Sequence, residues 1–115
     1  MSRKYRVTAI CMILGSMIST MILAEAKVIS MGNAQEGKVK AALCVGCHGE
    51  QGEGKTMPDG QPAVPRLAGQ IPGYFVKSMQ DYKTDKRVDP VMNALTKGLT
   101  DADIENLAAY YATLK

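Results

Sequence analysis

The chain has 115 residues, of which 46% are hydrophobic, with one Phe, no Trp and a formal charge of +3. That is room for a single small domain with a thin apolar core. Most of the excess charge sits at the start, in Arg3, Lys4 and Arg6; residues 27–115 hold 11 Lys or Arg against 10 Asp or Glu, which excludes a basic nucleic-acid footprint and leaves only local patches to attract a partner.

Arg3, Lys4 and Arg6 precede an uncharged apolar run from Val7 to Leu23, and Ala24-Glu25-Ala26 supplies the small residues at which a signal peptidase cuts. Residues 1–26 therefore read as a secretory signal and residues 27–115 as the mature domain, exported to the periplasm with no membrane segment of its own. The competing reading is an uncleaved anchor, because the run is close to the shortest that spans a bilayer. Cleavage removes Cys11 and leaves Cys44 and Cys47, too few for a disulfide framework.

Asn33 is placed to cap a helix running through Ala34, Gly37, Val39, Ala41 and Leu43, with Glu36 at the position that reaches back to the cap. This helix carries Cys44 on its last turn. Cys44-Val45-Gly46-Cys47-His48 follows the C-x-x-C-H pattern of covalent c-type haem attachment. Two thiols three positions apart on a helical turn can each add to a vinyl group of one macrocycle, and the adjacent imidazole of His48 can then reach the iron as proximal ligand. A buried haem also gives a small domain the staple that its sparse core lacks.

Residues 49–70 are dense in Gly and Pro, a loop long enough to need something to wrap, and the haem is the candidate. Pro72 suits the first turn of a second helix with Phe75, Val76, Met79 and Tyr82 on one face, ending over Lys83 to Arg87. Asp89-Pro90 opens a short helix that stops at Gly98. Thr100 caps a last helix with Asp101 and Asp103 in its first turn and a stripe of Ile104, Leu107, Ala108 and Tyr111. No alternating strand pattern occurs, so the fold class is all-α.

His48 is the only histidine, so the iron's second axial ligand must be something else. Spacing makes Met92 the leading candidate: it follows His48 by 44 residues, after a helix that can carry the chain to the other haem face. Met79 is the next candidate, although a thioether in an apolar stripe is more often packing. An open or non-methionine site is the third. Met31 precedes the first helix, and Met57 lies in the loop soon after His48. Other chemistries of C-x-x-C fit less well: a thioredoxin-type pair needs a βαβ context, and zinc needs more ligands than two Cys and one His.

Together these residues resemble a class I bacterial cytochrome c, most like the small periplasmic c553 and c4-type domains. The resemblance covers the mature chain and is carried by Gly37, Cys44-Val45-Gly46-Cys47-His48-Gly49, Pro65-Arg66-Leu67-Ala68-Gly69-Gln70, Lys86-Arg87, Asp89-Pro90-Val91-Met92-Asn93 and Leu99-Thr100-Asp101-Ala102-Asp103-Ile104 leading to Leu107-Ala108-Ala109-Tyr110-Tyr111. It implies about four helices wrapped round one covalent haem c, with His48 and Met92 on the iron. It further implies that the Pro65 carbonyl accepts the His48 Nδ1 hydrogen, Leu67 presses on the haem face and Arg87 sits near a propionate. A solvated surface charge is the plain alternative for Arg87. Gly37 and Ala41 would let the first helix cross Leu107 and Tyr110 of the last, a matter of packing. Asp85 departs from the family pattern, standing in a turn where glycine is frequent, and Asp tolerates the left-handed conformation such a turn needs.

A saturated iron offers no substrate position, so the resemblance implies electron transfer without catalysis, through small contacts with redox partner proteins. The leading expectation is a periplasmic one-electron shuttle between respiratory or dehydrogenase partners. The alternatives are a dedicated cytochrome subunit of a periplasmic oxidoreductase complex and a haem enzyme or gas sensor with Met92 weakly bound.

Overall fold

Asn33 opens α1 (Ala34–Lys40), its side chain accepting from the N–H groups of Gln35 and Glu36 at 2.9 and 3.3 Å. In this computed structural model, residues 32–59 and 63–115 are described; the expected signal segment, residues 1–26, and Met31 lie outside them. The N–H of Asn33 donates to Asn106 Oδ1 at 2.7 Å. That bond takes the donor which Glu36 was expected to satisfy, and it ties the start of α1 to the last helix.

The helix expected to run unbroken to Leu43 divides. It tightens to a 3₁₀ turn over Ala41–Leu43, where Cys44 N–H donates to Ala41 O at 2.8 Å, and a new turn, α2 (Val45–His48), begins with Cys44 as its cap residue. Cys44 and Cys47 thus lie on one turn that is separate from α1. Gly49, with φ of 88°, ends it. The loop that follows contains one isolated bridge, Lys55 with Val64, and no strand occurs among the described residues.

Helix α3 (Pro72–Lys83) starts on Pro72, whose missing N–H costs nothing in a first turn, and buries Phe75 and Met79. Asp85, at φ of 58°, turns the chain towards α4 (Pro90–Lys97), which Asp89 caps through the N–H groups of Val91 and Met92 at 3.0 and 2.9 Å. Helix α5 (Asp101–Thr113) begins with a reciprocal box: Asp103 N–H donates to Thr100 Oγ1, and Thr100 N–H to the Asp103 carboxylate.

The core gathers Ala41, Phe75, Met79, Leu99, Ile104, Leu107, Ala108 and Tyr111, with the expected stripe of α5 at its centre. Each large side chain buried there contributes about 1.5–3 kcal/mol. Phe75 and Tyr111 stack with centroids 5.7 Å apart, joining α3 to α5. Helices α1 and α5 cross so closely that a Cβ on Gly37 would lie 2.0 Å from the Asn106 carbonyl oxygen and 2.8 Å from Tyr110 Cβ. The close approach at Gly37 is therefore to Asn106 and Tyr110, one residue displaced from the expected Leu107. The all-α class stands as expected.

Candidate functional site

The short turn α2 delivers His48 into the interior, where only 6% of the residue is exposed. Its Nδ1 lies 2.7 Å from the carbonyl oxygen of Pro65. A carbonyl can only accept, so Nδ1 carries the hydrogen, which leaves Nε2 as the nitrogen through which the imidazole could bind a metal. The loop is folded to bring Pro65 there. Gly54 N–H donates to His48 O at 2.7 Å, and Leu67 and Ala68 N–H both donate to Gly52 O at 2.7 and 3.0 Å. Gly54, at φ of 78°, has the Val64 carbonyl oxygen 2.6 Å from where a Cβ would stand, so this return passes only over glycine.

A cleft of about 330 Å³ lies beside His48, a size typical of cofactor sites. Cys47, His48, Pro65, Leu67, Arg87 and Met92 all line it, drawn from α2, the loop, the α3–α4 connection and α4. Cys44 does not; it borders a neighbouring void of about 20 Å³ whose wall shares Met79 and Met92 with the cleft. Both thiols are free. Burial pushes the Cys44 thiol above its ordinary value, the nearby Tyr111 hydroxyl opposes this, and Cys47 adds to it. The Tyr111 hydroxyl is buried beside the Cys44 thiol, and burial raises its pKa in turn, with Cys44 adding to the rise.

Of the methionines, Met57 is exposed. Met92 is half-buried, with its N–H held by the Asp89 carboxylate and its carbonyl by the Thr96 hydroxyl at 2.8 Å. Thr96 is wholly buried, and this bond satisfies it. Met79 also lines the cleft, as does the rest of the α3 face: Phe75, Tyr82, Tyr74 and Ser78. The sequence reads Phe75, Met79 and Tyr82 as core packing, and their helical spacing was the available sign that one face can serve both core and cleft. Arg87 holds its guanidinium 4.8 Å from the centre of the Tyr82 ring, a cation–π contact on the cleft wall.

These residues fit a haem. Two free thiols on one turn, Cys47 in the cleft wall and Cys44 beside it, could form thioethers, and an imidazole with one nitrogen engaged and a thioether could serve as ligands, in apolar walls with a cation at one side. Among the described residues, no group of three or more His, Cys, Asp or Glu could hold a bare metal ion.

Comparison with known proteins agrees. The cytochrome c family model matches residues 34–115. The chain is 40% identical over 90 residues to cytochrome c4 of Thiocapsa roseopersicina, covering 77% of this chain and 44% of that one. It is 35% identical over 85 residues to cytochrome c-554(548) of Halomonas halodenitrificans, covering 71% and 96%. The structure of cytochrome c4 from Acidithiobacillus ferrooxidans superposes with a TM-score of 0.62 at 30% identity, covering 74% of this chain and 52% of that one. The chain thus spans less than half the length of the Thiocapsa relative and nearly the whole of the Halomonas one. With the family model matching most of its length, the chain belongs to the cytochrome c family, in its class I bacterial c4 and c553 type, a family whose haem c is covalently bound.

Proposed function

We propose that this protein is a periplasmic one-electron carrier whose single haem is anchored by Cys44 and Cys47 and ligated by His48 and Met92. The observation that carries the reading is the meeting of Cys47, His48 and Met92 at one cleft, with His48 Nδ1 engaged by the Pro65 carbonyl. Residues 1–26 serve as the export signal. Among the described residues, no helix is long and apolar enough to cross a membrane.

When bound, the haem supplies a one-electron ferrous–ferric couple. The protein's part is to hold that couple fixed. Pro65 sets the plane and tautomer of His48 and increases the basicity of its free nitrogen. Met92 offers a soft sulfur, which favours the ferrous form, and its backbone is secured at both N–H and carbonyl. Leu67, Phe75 and Met79 give the cleft apolar walls that would exclude water, and Arg87 brings a positive charge to its edge that would suit a haem carboxylate. With His48 and Met92 both holding the iron, no substrate position would remain, and exchange of electrons would fall to brief docking with partner proteins. The donors and acceptors that suit such a carrier are a quinol-oxidising complex or dehydrogenase on one side and a terminal oxidase or reductase on the other.

The test is spectroscopic. Haem-loaded protein should show the sulfur-to-iron charge-transfer band in its ferric form, and Met92→Ala should lose that band, bind carbon monoxide when ferrous and shift to a lower potential. A band that survives Met92→Ala refutes the ligand assignment. Purification from the native periplasm as a free monohaem protein supports the shuttle, and a stable heterocomplex refutes it.

A further inference from the structure

Asn93 follows Met92 on α4, yet its side chain is not part of the cleft wall. Its amide instead reaches three pieces of backbone. Nδ2 donates to the carbonyl of Tyr82 at 2.6 Å and to that of Arg87 at 2.9 Å, and Oδ1 accepts from the N–H of Asp89 at 2.7 Å. Two carbonyls demand the NH₂ end and one N–H demands the oxygen, so the orientation of the amide is dictated by its partners, and both of its donors are in use. The three partners are the last turn of α3, the connection between α3 and α4, and the cap of α4. Tyr82, Arg87 and Met92 all line the cleft, and the backbone of the first two is bonded directly to the residue that follows the third.

We propose that Asn93 is a positioning residue: its amide locks the α3–α4 connection onto the first turn of α4, so that Met92 and Arg87 are presented to the cleft from one rigid frame. This inference rests on the reading of Met92 as iron ligand. Asp89 is shared by the device, since its carboxylate holds Met92 N–H while its own N–H is held by Asn93. Loosening Asn93 therefore frees the cap of α4 together with the connection. No sequence rule requires an Asn here, because every partner is a backbone group available whatever its side chain.

Haem-loaded wild type, Asn93→Ala, Asn93→Asp, Met92→Ala and Thr100→Ala are compared by the sulfur-to-iron band of the ferric form and the rate of carbon monoxide binding to the ferrous form. Asn93→Asp keeps an acceptor for Asp89 but sets a carboxylate against two carbonyls. Both Asn93 variants should bind carbon monoxide about tenfold faster than wild type, or more, and lose band intensity on mild warming, as expected when buried hydrogen bonds that hold the ligand are removed. Thr100→Ala removes a cap from α5 away from the cleft; it should lower the unfolding temperature and leave the rate at the wild-type value, which a merely structural role for Asn93 would also do. Rates in both Asn93 variants equal to those of Thr100→Ala overturn the proposal, and if Asn93→Ala does not accumulate with haem, Asn93→Asp decides. A wild type without the band, or a Met92→Ala variant that keeps it, overturns the Met92 reading and this inference with it; loss of the band in Met92→Ala alone, with Asn93 variants unchanged, overturns only the latter.

Discussion

At Gly37 a missing side chain decides whether two helices can meet. A Cβ there would stand 2.0 Å from the Asn106 carbonyl oxygen, which belongs to helix backbone and cannot swing aside. Gly37→Ala should therefore force α1 away from α5 and lower stability by about 3 kcal/mol or more, beyond the usual 1–3 kcal/mol of overpacking. Gly73, in the first turn of α3, is the contrast: a Cβ there meets nothing within 4 Å. Gly73→Ala should be neutral or stabilising by up to about 1 kcal/mol, through reduced freedom of the unfolded chain. Thermal unfolding of the two haem-loaded variants beside wild type measures both, and equal midpoints would mean that the α1–α5 crossing can open without loss.

At the scale of the element, the start of α5 joins a cap to an ion pair. Thr100→Ala removes the hydroxyl that accepts from the Asp103 N–H, leaving the backbone half of the reciprocal pair, and should cost about 0.5–2 kcal/mol, read as a lowered unfolding midpoint. The Thr100 backbone N–H, and then Lys40 at 3.0 Å, hold the Asp103 carboxyl below the usual carboxylate range. Folding thus favours the ionised form. Its contribution is complete above the ordinary Asp value of about 3.9 and is lost as pH falls through the lower folded value. The difference in midpoint between wild type and Asp103→Asn should accordingly be full at neutral pH and shrink as acid is added below about pH 4; a difference that grows in acid would contradict this assignment. Caps of this kind are local, which is why Asn33, Asp89 and Thr100 can be read from sequence together with the helices they open. The cap role expected of Glu36 cannot, because the Asn33 N–H goes instead to Asn106, a residue 73 positions away. The link from His48 to Pro65 was suggested by family resemblance alone, since it depends on a loop return over Gly52 and Gly54. Asn93 was legible as part of the Asp89-Pro90-Val91-Met92-Asn93 motif but its clamp was not, because its partners are carbonyls and an N–H common to any sequence.

For the whole molecule, the cleft is a feature of the core as much as a site. Phe75 and Met79 face both the packed interior and the cleft, so a haem seated in the cleft would extend the same core. The cleft of about 330 Å³ beside His48 opens to solvent, so without a haem to cover them the apolar sides of Leu67, Phe75 and Met79 that line it are wetted and their burial is lost to the core. The capped helices cannot make up the difference, since α1, α2 and α4 are each too short to persist alone in water. A Cys44→Ala/Cys47→Ala double variant, unable to form either thioether, should therefore show reduced helical circular dichroism and no cooperative thermal transition once noncovalent haem is removed, while wild type matured in the same host unfolds in one sharp step. A cooperative transition in the haem-free double variant within a few degrees of wild type would show that the α1–α5 crossing and the Phe75–Tyr111 stack hold the fold by themselves.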